Sequence, residues 1–207
     1  IEVYPSLDYQ HVHEQFSLIC CNYPAKAGTK ALKRFVYNAS KHLKHNGIFA
    51  IVIVKELLEE FRSILREEIN ILHTQQSSGH FVFHLGFTKE ISFGEEPYLR
   101  NNITYSLDKK SYQLKTAFNL PEFESPSFTT KAMIKVIKDI SKGLVIFVVN
   151  PLQGHLPLAV LHYATPKELH LVSRDLLSLE YSRDNLNNNG FEKINICHKI
   201  MIDDDGW

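Results

Sequence analysis

Two kinds of apolar periodicity alternate along this chain. Phe16-Ser17-Leu18-Ile19-Cys20-Cys21 and Ile48-Phe49-Ala50-Ile51-Val52-Ile53-Val54 are short apolar runs, the second without any polar alternation. Runs of that length and β-branched content predict strands, the second buried on both faces as in a parallel sheet. Between them, Leu32, Phe35, Val36, Ala39 and Leu43 recur at helical spacing and predict an amphipathic helix from Thr29 to His45, with Gly47 as its terminator. Leu57, Leu58, Phe61, Ile64 and Leu65 predict a second helix. Ile69 to Thr74 and His80 to Phe87 flank the loop Gln75-Gln76-Ser77-Ser78-Gly79 and predict an antiparallel pair.

From Thr88 to Pro121 the pattern breaks into scattered aromatics, which predicts a connector with short strands near Ile103 to Ser106 and Tyr112 to Thr116. Beyond it, Met133, Val136, Ile137 and Ile140 predict a helix capped by Thr129 or Thr130 and ended by Gly143. Leu144 to Val149 predicts a wholly apolar strand, His155 to Tyr163 a helix, Leu169 to Ser173 a strand, Asp175 to Leu186 a helix and Lys193 to His198 a final strand. Strands alternating with helices place the chain in the α/β class, with right-handed parallel βαβ units.

A length of 207 residues with 44% hydrophobic content gives room for one domain plus a connector, or for parts of two. No apolar run approaches the roughly 20 residues of a bilayer span, so no membrane segment is expected. No signal-peptide pattern is present, and the chain opens on Ile1 instead of Met, which leaves room for residues before it. Three cysteines without a disulfide framework or metal-ligand spacing point to a reducing, cytoplasmic setting. His11 and His13 alternate like ligands, but no carboxylate or cysteine completes a set; surface histidines and no metal are expected.

The 23 basic and 23 acidic residues balance, which excludes a global field drawing the protein onto nucleic acid. Between Gln15 and Lys55, however, Lys26, Lys30, Lys33, Arg34, Lys41 and Lys44 stand without a single carboxylate. Lys26, Lys30, Lys33 and Arg34 are the candidate phosphate contacts. A solvated helix face balanced by acids elsewhere is the competing reading. Glu56 to Glu68, interspersed with Arg62 and Arg66, reads as a salt-bridged outer helix face, and Asp203-Asp204-Asp205 as a solvated loop.

The first strand empties into Asn22-Tyr23-Pro24-Ala25-Lys26-Ala27-Gly28, and open α/β sheets bind their ligands at the carboxyl ends of strands. The run resembles the Asp-x-x-x-x-Asn-Pro-Pro-Phe-x-x-Gly motif of class I S-adenosylmethionine-dependent methyltransferases, most closely those that modify guanine N2 in small-subunit ribosomal RNA. Ser17 stands for the acid, Tyr23 for the first proline and Ala25 for the aromatic. The resemblance implies that Asn22 and Pro24 orient a target amine and that Tyr23 stacks on a flipped base.

Val148-Val149-Asn150-Pro151-Leu152-Gln153-Gly154-His155 is similar to the glycine-rich cofactor loop of the same family. Asn150 and Leu152 replace its first two glycines, Gly154 keeps the third, Val148 takes the place of the acid before the loop, and Ser173 that of the ribose-binding acid. The resemblance implies S-adenosylmethionine as cofactor, held by Asn150, Gly154 and Ser173, in a site that has lost both of its characteristic features. His155 reads as a polar helix-start residue, with phosphate contact as the alternative.

The family's halves occur here in inverted order. Residues 1–87 resemble the second half of a methyltransferase-like domain, 88–121 form the connector and 122–207 resemble the first half. The implied fold is a Rossmann-like methyltransferase sheet, mostly parallel with a terminal antiparallel hairpin, present as two half-domains. A permuted domain, a fragment and a junction of tandem domains all fit that order. Both Glu2-Val3-Tyr4 and Ile194 to His198 sit where the family's third strand belongs, which favours the tandem reading. The resemblance implies methyl transfer to an exocyclic amine of RNA. The alternatives are a catalytically degenerate module that binds RNA or a protein partner, and a scaffold that completes its sheet as a homodimer or with missing flanking segments.

Overall fold

The computed structural model describes residues 6–94 and 96–199. The chain divides into two compact units, residues 1–98 and 99–207. In the first, strand β1 (Phe16–Asn22) passes through a 3-10 turn, Ala25–Ala27, into helix α1 (Thr29–Ala39). Strand β2 (Leu43–Val54), helix α2 (Leu58–Ile64) and the hairpin of β3 (Ile69–Gln76) and β4 (His80–Phe87) follow. The sheet order is β1-β2-β4-β3, with β1 parallel to β2 and the other two pairings antiparallel.

Alternation explains which face is covered. Phe49, Ile51 and Ile53 of β2 and Phe81, Phe83 and Leu85 of β4 share one buried cluster with Leu32 and Val36 of α1 and Phe61 and Ile64 of α2. Both helices therefore lie on the same face of the sheet. Phe61 is fully buried, its ring 4.5 Å from that of Phe83. Truncating such a residue to alanine costs about 3–5 kcal/mol.

The first helix stops at Ala39, not at His45, and β2 begins at Leu43 with Gly47 inside it. The Ser40 hydroxyl donates to the Tyr37 carbonyl at 2.6 Å and accepts from the Ile91 N–H at 2.9 Å, closing the helix against the core. Gly47 is a close-approach residue. A Cβ there would lie 2.9 Å from the Lys44 carbonyl oxygen and 3.0 Å from that of Phe16.

The second unit opens with an antiparallel hairpin of β5 (Leu99–Leu107) and β6 (Lys110–Ala117). Helix α3 (Phe128–Ile137), strand β7 (Val145–Val149), helix α4 (His155–Tyr163), strand β8 (Glu168–Ser173), helix α5 (Leu176–Asn188) and strand β9 (Asn195–His198) complete it. The sheet β7-β8-β9 is parallel throughout. The segment read as a connector thus carries a full hairpin, and Leu107, Tyr112 and Leu114 join the same core as Leu158, Leu169, Leu171 and Leu179.

Helix α3 is capped by Ser127, whose hydroxyl accepts from the Thr130 N–H at 3.2 Å, and it ends at Ile137, before Gly143. Strand β7 is wholly apolar yet covered on one face only: Val148 is buried, while Val145, Phe147 and Val149 are exposed. The Glu2-Val3-Tyr4 and Asp203-Asp204-Asp205 segments lie outside the described residues. Among the described residues no helix is long and apolar enough to cross a membrane.

The outer edge of β6 is paired with side chains instead of a strand. Asn189 bonds to the N–H and carbonyl of Gln113 at 3.1 and 2.7 Å, Asn185 to those of Lys115 at 2.8 and 2.7 Å, and Gln153 to those of Ala117 at 2.9 and 3.2 Å. Residues 113, 115 and 117 share one side of the strand, so three carboxamides at matching spacing satisfy its edge. Gln153 belongs to the loop after β7, which this ladder anchors to the hairpin.

Candidate functional site

Asn22 ends β1 with its side chain exposed, opposite Val52 in the register. The Tyr23 N–H continues the ladder to the Val52 carbonyl at 3.0 Å, and the chain then turns at Pro24. Tyr23 itself faces inward: it is 5% exposed, and its hydroxyl donates to the Gly28 carbonyl at 2.7 Å. Burial, assisted by Tyr98, Cys21 and Asp8, pushes its phenol well above the ordinary range. Tyr23 is therefore a packing residue and not the base-stacking platform that the motif suggests. Gly28 adopts φ 86° and ψ 161°, a conformation open essentially to glycine alone. The loop from Asn22 to Gly28 is a braced lip with the Asn22 carboxamide and the exposed Pro24 ring at its edge.

The basic residues separate into two groups. Lys26 and Lys30 are exposed on the lip and on the first turn of α1. Lys33 lies 5.8 Å from the ring centroids of both Tyr37 and Phe93, and the Arg34 Nε donates to the Asp8 carboxylate at 2.7 Å. The Asp8 side chain is only 2% exposed and also accepts from Asn38 at 3.1 Å. Arg34 is thus a tether for a buried acid, not a phosphate contact. The neighbouring Tyr9 ring stacks between Phe35 and His42, at 4.7 and 4.9 Å.

In the second unit, the Asn150 N–H extends the parallel ladder to the Val172 carbonyl at 2.8 Å. Asn150, Leu152 and Gly154 then take φ of 53°, 55° and 95°. The loop follows a path of alternating left-handed residues suited to glycine, with side chains carried on two of them. It is held by the Ser182 hydroxyl on the Leu152 carbonyl at 3.0 Å, and Gly154 packs so that a Cβ would lie 3.4 Å from the Ser182 Cα. The Ser173 hydroxyl donates to the Asn150 carboxamide oxygen at 3.1 Å and accepts from the Asp175 N–H at 3.0 Å. The Asp175 carboxylate caps α5 through the N–H groups of Leu177 and Ser178.

The structure therefore brings Asn150, Gly154 and Ser173 together at the carboxyl ends of β7 and β8. Their chemistry departs from the family's cofactor site at the ribose acid and along the loop. A ribose presents two hydroxyl donors that a carboxylate accepts best. Here Asn150 and Ser173 satisfy each other, and Cβ atoms stand on the loop where a bare backbone must approach the ligand.

Sequence reasoning misses the polar core beside this loop. His155 is not a solvated helix start: it is 1% exposed, its ring perpendicular to that of Tyr105 at 4.8 Å, and its Nδ1 lies 3.7 Å from Glu122 Oε2. Burial pushes its pKa down to about 4 against the opposing pull of Glu122, so the ring is neutral near neutral pH. Glu122 Oε1 accepts from the Ser127 N–H at 3.0 Å and the Thr130 hydroxyl at 2.6 Å. The sequence-level clue is the proximity of Gln153 and His155 to left-handed Gly154 in an otherwise apolar stretch.

Residues 1–84 match the sequence model of the methyltransferase small domain. Among curated protein sequences none matches the chain. Among solved structures, a T. thermophilus 16S rRNA N2-guanine methyltransferase, RsmC, determined with AdoMet and guanosine, superposes with a TM-score of 0.72 at 16% identity. The match covers 94% of this chain and 53% of that one, so this chain spans about half the length of its counterpart. A SAM-dependent methyltransferase from Agrobacterium tumefaciens matches over 55% of this chain and 35% of its own, at 17% identity and a TM-score of 0.34. The first match shows a shared fold, and the β1-to-Gly28 run lies within the segment that carries the family signature. Residues 1–84 thus match the methyltransferase small-domain model, and the chain shares the fold of the T. thermophilus enzyme.

Proposed function

We propose that this chain serves S-adenosylmethionine-dependent methylation of an exocyclic amine in RNA, with guanine N2 of ribosomal RNA as the target class. The observation that supports this reading is the braced lip at the end of β1, which leaves the Asn22 carboxamide exposed beside Pro24. Its oxygen accepts a hydrogen from the target amine and fixes the nitrogen's direction; Lys26 and Lys30, exposed nearby, neutralise backbone phosphates. Catalysis on such a site comes chiefly from positioning. Cys20, Cys21 and Cys197 are free thiols, in keeping with a reducing, cytoplasmic setting.

The test is transfer of a labelled methyl group from S-adenosylmethionine to ribosomal RNA fragments. Asn22→Ala, with an unchanged circular dichroism spectrum, must abolish it; undiminished transfer would sink the assignment. The Asn150–Ser173 contact favours a second reading, a methyltransferase-like module that binds RNA without catalysis. Titration with S-adenosylmethionine and S-adenosylhomocysteine separates the two. No heat from either ligand, together with salt-sensitive RNA binding weakened by Lys26→Ala and Lys30→Ala, would establish the module.

A further inference from the structure

The hairpin of β5 and β6 carries one residue that its own ladder does not use. Leu99 faces Ala117 and Asn101 faces Thr116, which leaves Arg100 as the extra residue of a β-bulge. A bulge re-aims the side chain it carries. Arg100 is exposed, and its guanidinium carbon lies 3.3 Å from the ring centroid of Phe123 and 5.5 Å from that of Phe118. Stacking fixes the plane of the guanidinium and leaves its N–H donors along the edges. Among the described residues no carboxylate pairs with it and no carbonyl accepts from it.

The stacking rings are themselves braced. The Gln153 carboxamide donates to the carbonyls of Ala117 and Leu120, on either side of Phe118, at 3.2 and 3.1 Å. Glu122, next to Phe123, is spent on the Ser127 N–H and the Thr130 hydroxyl. Both rings are half-buried. Arg100 therefore stands on a platform held from the loop after β7.

The face of the hairpin beside it has matching chemistry. Asn102 and Lys115, Thr104 and Gln113, and Ser106 and Ser111 stand opposite one another in the register, and all but Lys115 are exposed. The Gln113 carboxamide donates to the Thr104 hydroxyl at 3.2 Å, and the two serine hydroxyls meet at 3.2 Å. Residues 99–117 hold four basic side chains, Arg100, Lys109, Lys110 and Lys115, and one acid, Asp108, which Lys138 neutralises at 3.0 Å. Two-residue steps set the neutral rungs about 7 Å apart, between Arg100 at one end and the turn lysines at the other. A ribose-phosphate chain alternates anionic and hydroxyl groups, whereas an acidic peptide offers carboxylates without the hydroxyls. Amides and hydroxyls meet phosphate and sugar, and a planar arginine fork takes a phosphate in bidentate fashion.

We propose that this face binds the backbone of an RNA strand, with Arg100 on a phosphate and Asn102, Thr104 and Gln113 on ribose hydroxyls. The strand is of the class proposed above as methylation substrate, so the site rests on that reading. It adds a contact that neither Asn22 nor the lysines of α1 supply. Recognition of the 2′-hydroxyl makes RNA the ligand in preference to DNA.

Fluorescence anisotropy of the intact chain with a labelled, single-stranded RNA of mixed sequence tests the proposal. Arg100→Ala is expected to weaken binding at least about tenfold with an unchanged melting temperature. It should also flatten the slope of log affinity against log salt by about 0.7, the share of one phosphate on a single strand. Arg100→Lys keeps the charge and loses the stacked fork, so the slope should hold while affinity falls several-fold. Lys135→Ala, at an exposed position of α3, should leave affinity nearly unchanged. Asn22→Ala should bind RNA as wild type does while losing methyl transfer, which separates the two sites. A wild-type chain that binds no RNA removes the reading on which both rest. RNA binding that Arg100→Ala leaves intact, that Lys135→Ala weakens as much, that DNA of the same sequence matches, or that polyglutamate displaces as well as unlabelled RNA does, overturns this site alone.

Discussion

The Ser173 hydroxyl donates to the Asn150 carboxamide oxygen at 3.1 Å, joining the carboxyl ends of β8 and β7 where a doubly wound sheet offers its ligand crevice. Ser173 stands in the place of the family's ribose-binding acid, and Asn150 in that of the loop's first glycine. The loop beyond Asn150 keeps a glycine-like path with two of its glycine places filled by side chains. The crevice therefore differs from the family's in its chemistry and not in its fold.

Two substitutions bring that chemistry back toward the family's. Asn150→Gly removes the carboxamide and relieves a left-handed φ, and Ser173→Asp supplies a carboxylate able to accept from both ribose hydroxyls. The double variant is expected to bind S-adenosylmethionine at least about tenfold more tightly than wild type, since a charged hydrogen bond contributes roughly 1.5–3 kcal/mol. Calorimetric titration of both proteins checks this, and equal heats would show that Leu152 or the loop's own hydrogen bonds keep the crevice shut.

The carboxamide ladder on β6 gives a prediction about stability. Asn185 is fully buried and makes three hydrogen bonds to backbone groups, two with Lys115 and one with the Gln153 carbonyl at 2.9 Å. Asn185→Leu keeps the volume and strands all three partners, at a cost of roughly 3 kcal/mol. The urea midpoint should fall accordingly, whereas exposed Asn187→Ala on the same helix should leave it in place.

Much of this fold is legible in the sequence because its signals are local. The apolar runs of β2 and β8, the helical spacing of α4 and the polar loop between β3 and β4 each fall within one short window. The middles of β5 and β6 are legible near Ile103 and Tyr112, but their full length and pairing are hidden because the turn, at Asp108 with φ 49°, uses no glycine. The first half of β2 is hidden because Lys44, His45 and Asn46 are polar and the ladder with β1 shifts register there. The exposure of β7 is hidden for another reason: composition reports that a strand is apolar, not whether a neighbour covers it.

At the site, Asn22 and the altered glycine loop are legible because motif spacing carries them. The orientation of Tyr23 is not, since one residue past the end of a strand a side chain turns either way, and the Gly28 carbonyl decides it. Gln153, His155 and Asn185 are illegible for a deeper reason. Polar residues enter a core only when partners far along the chain receive them, and hydropathy has no record of those partners.

Tyr23 offers a direct test of that distinction. Tyr23→Phe deletes the hydroxyl that reaches Gly28 and keeps the ring in the core, which should cost about 1 kcal/mol of stability. A stacking role would make the same change nearly silent for stability, because phenylalanine stacks as well as tyrosine. Tyr23→Leu sharpens the contrast, destabilising the fold by several kcal/mol through lost packing. Thermal melts of the two variants decide, and an unchanged melting temperature in both would return Tyr23 to the surface of the site.

His155 makes stability depend on pH in a defined window. Its pKa in the folded protein is about 4, against an ordinary value of 6.5, because burial beside Tyr105 disfavours the charged ring more than Glu122 favours it. Between those two values the unfolded chain binds a proton that the folded protein refuses. Stability from this residue is therefore complete above about pH 6.5, declines as the pH falls toward 4, and levels off below it. At about 1.4 kcal/mol per pKa unit the loss is on the order of 3 kcal/mol. Carboxylates elsewhere add their own acid dependence, so the informative quantity is the difference between wild type and His155→Gln, which cannot titrate. Urea unfolding at half-unit steps from pH 4 to 8 should show the two stabilities converging as the pH falls, with parallel curves above pH 7. Parallel curves across the whole range would mean that His155 takes up its proton in the folded protein as readily as in the unfolded chain, and that the pull of Glu122 offsets burial in full.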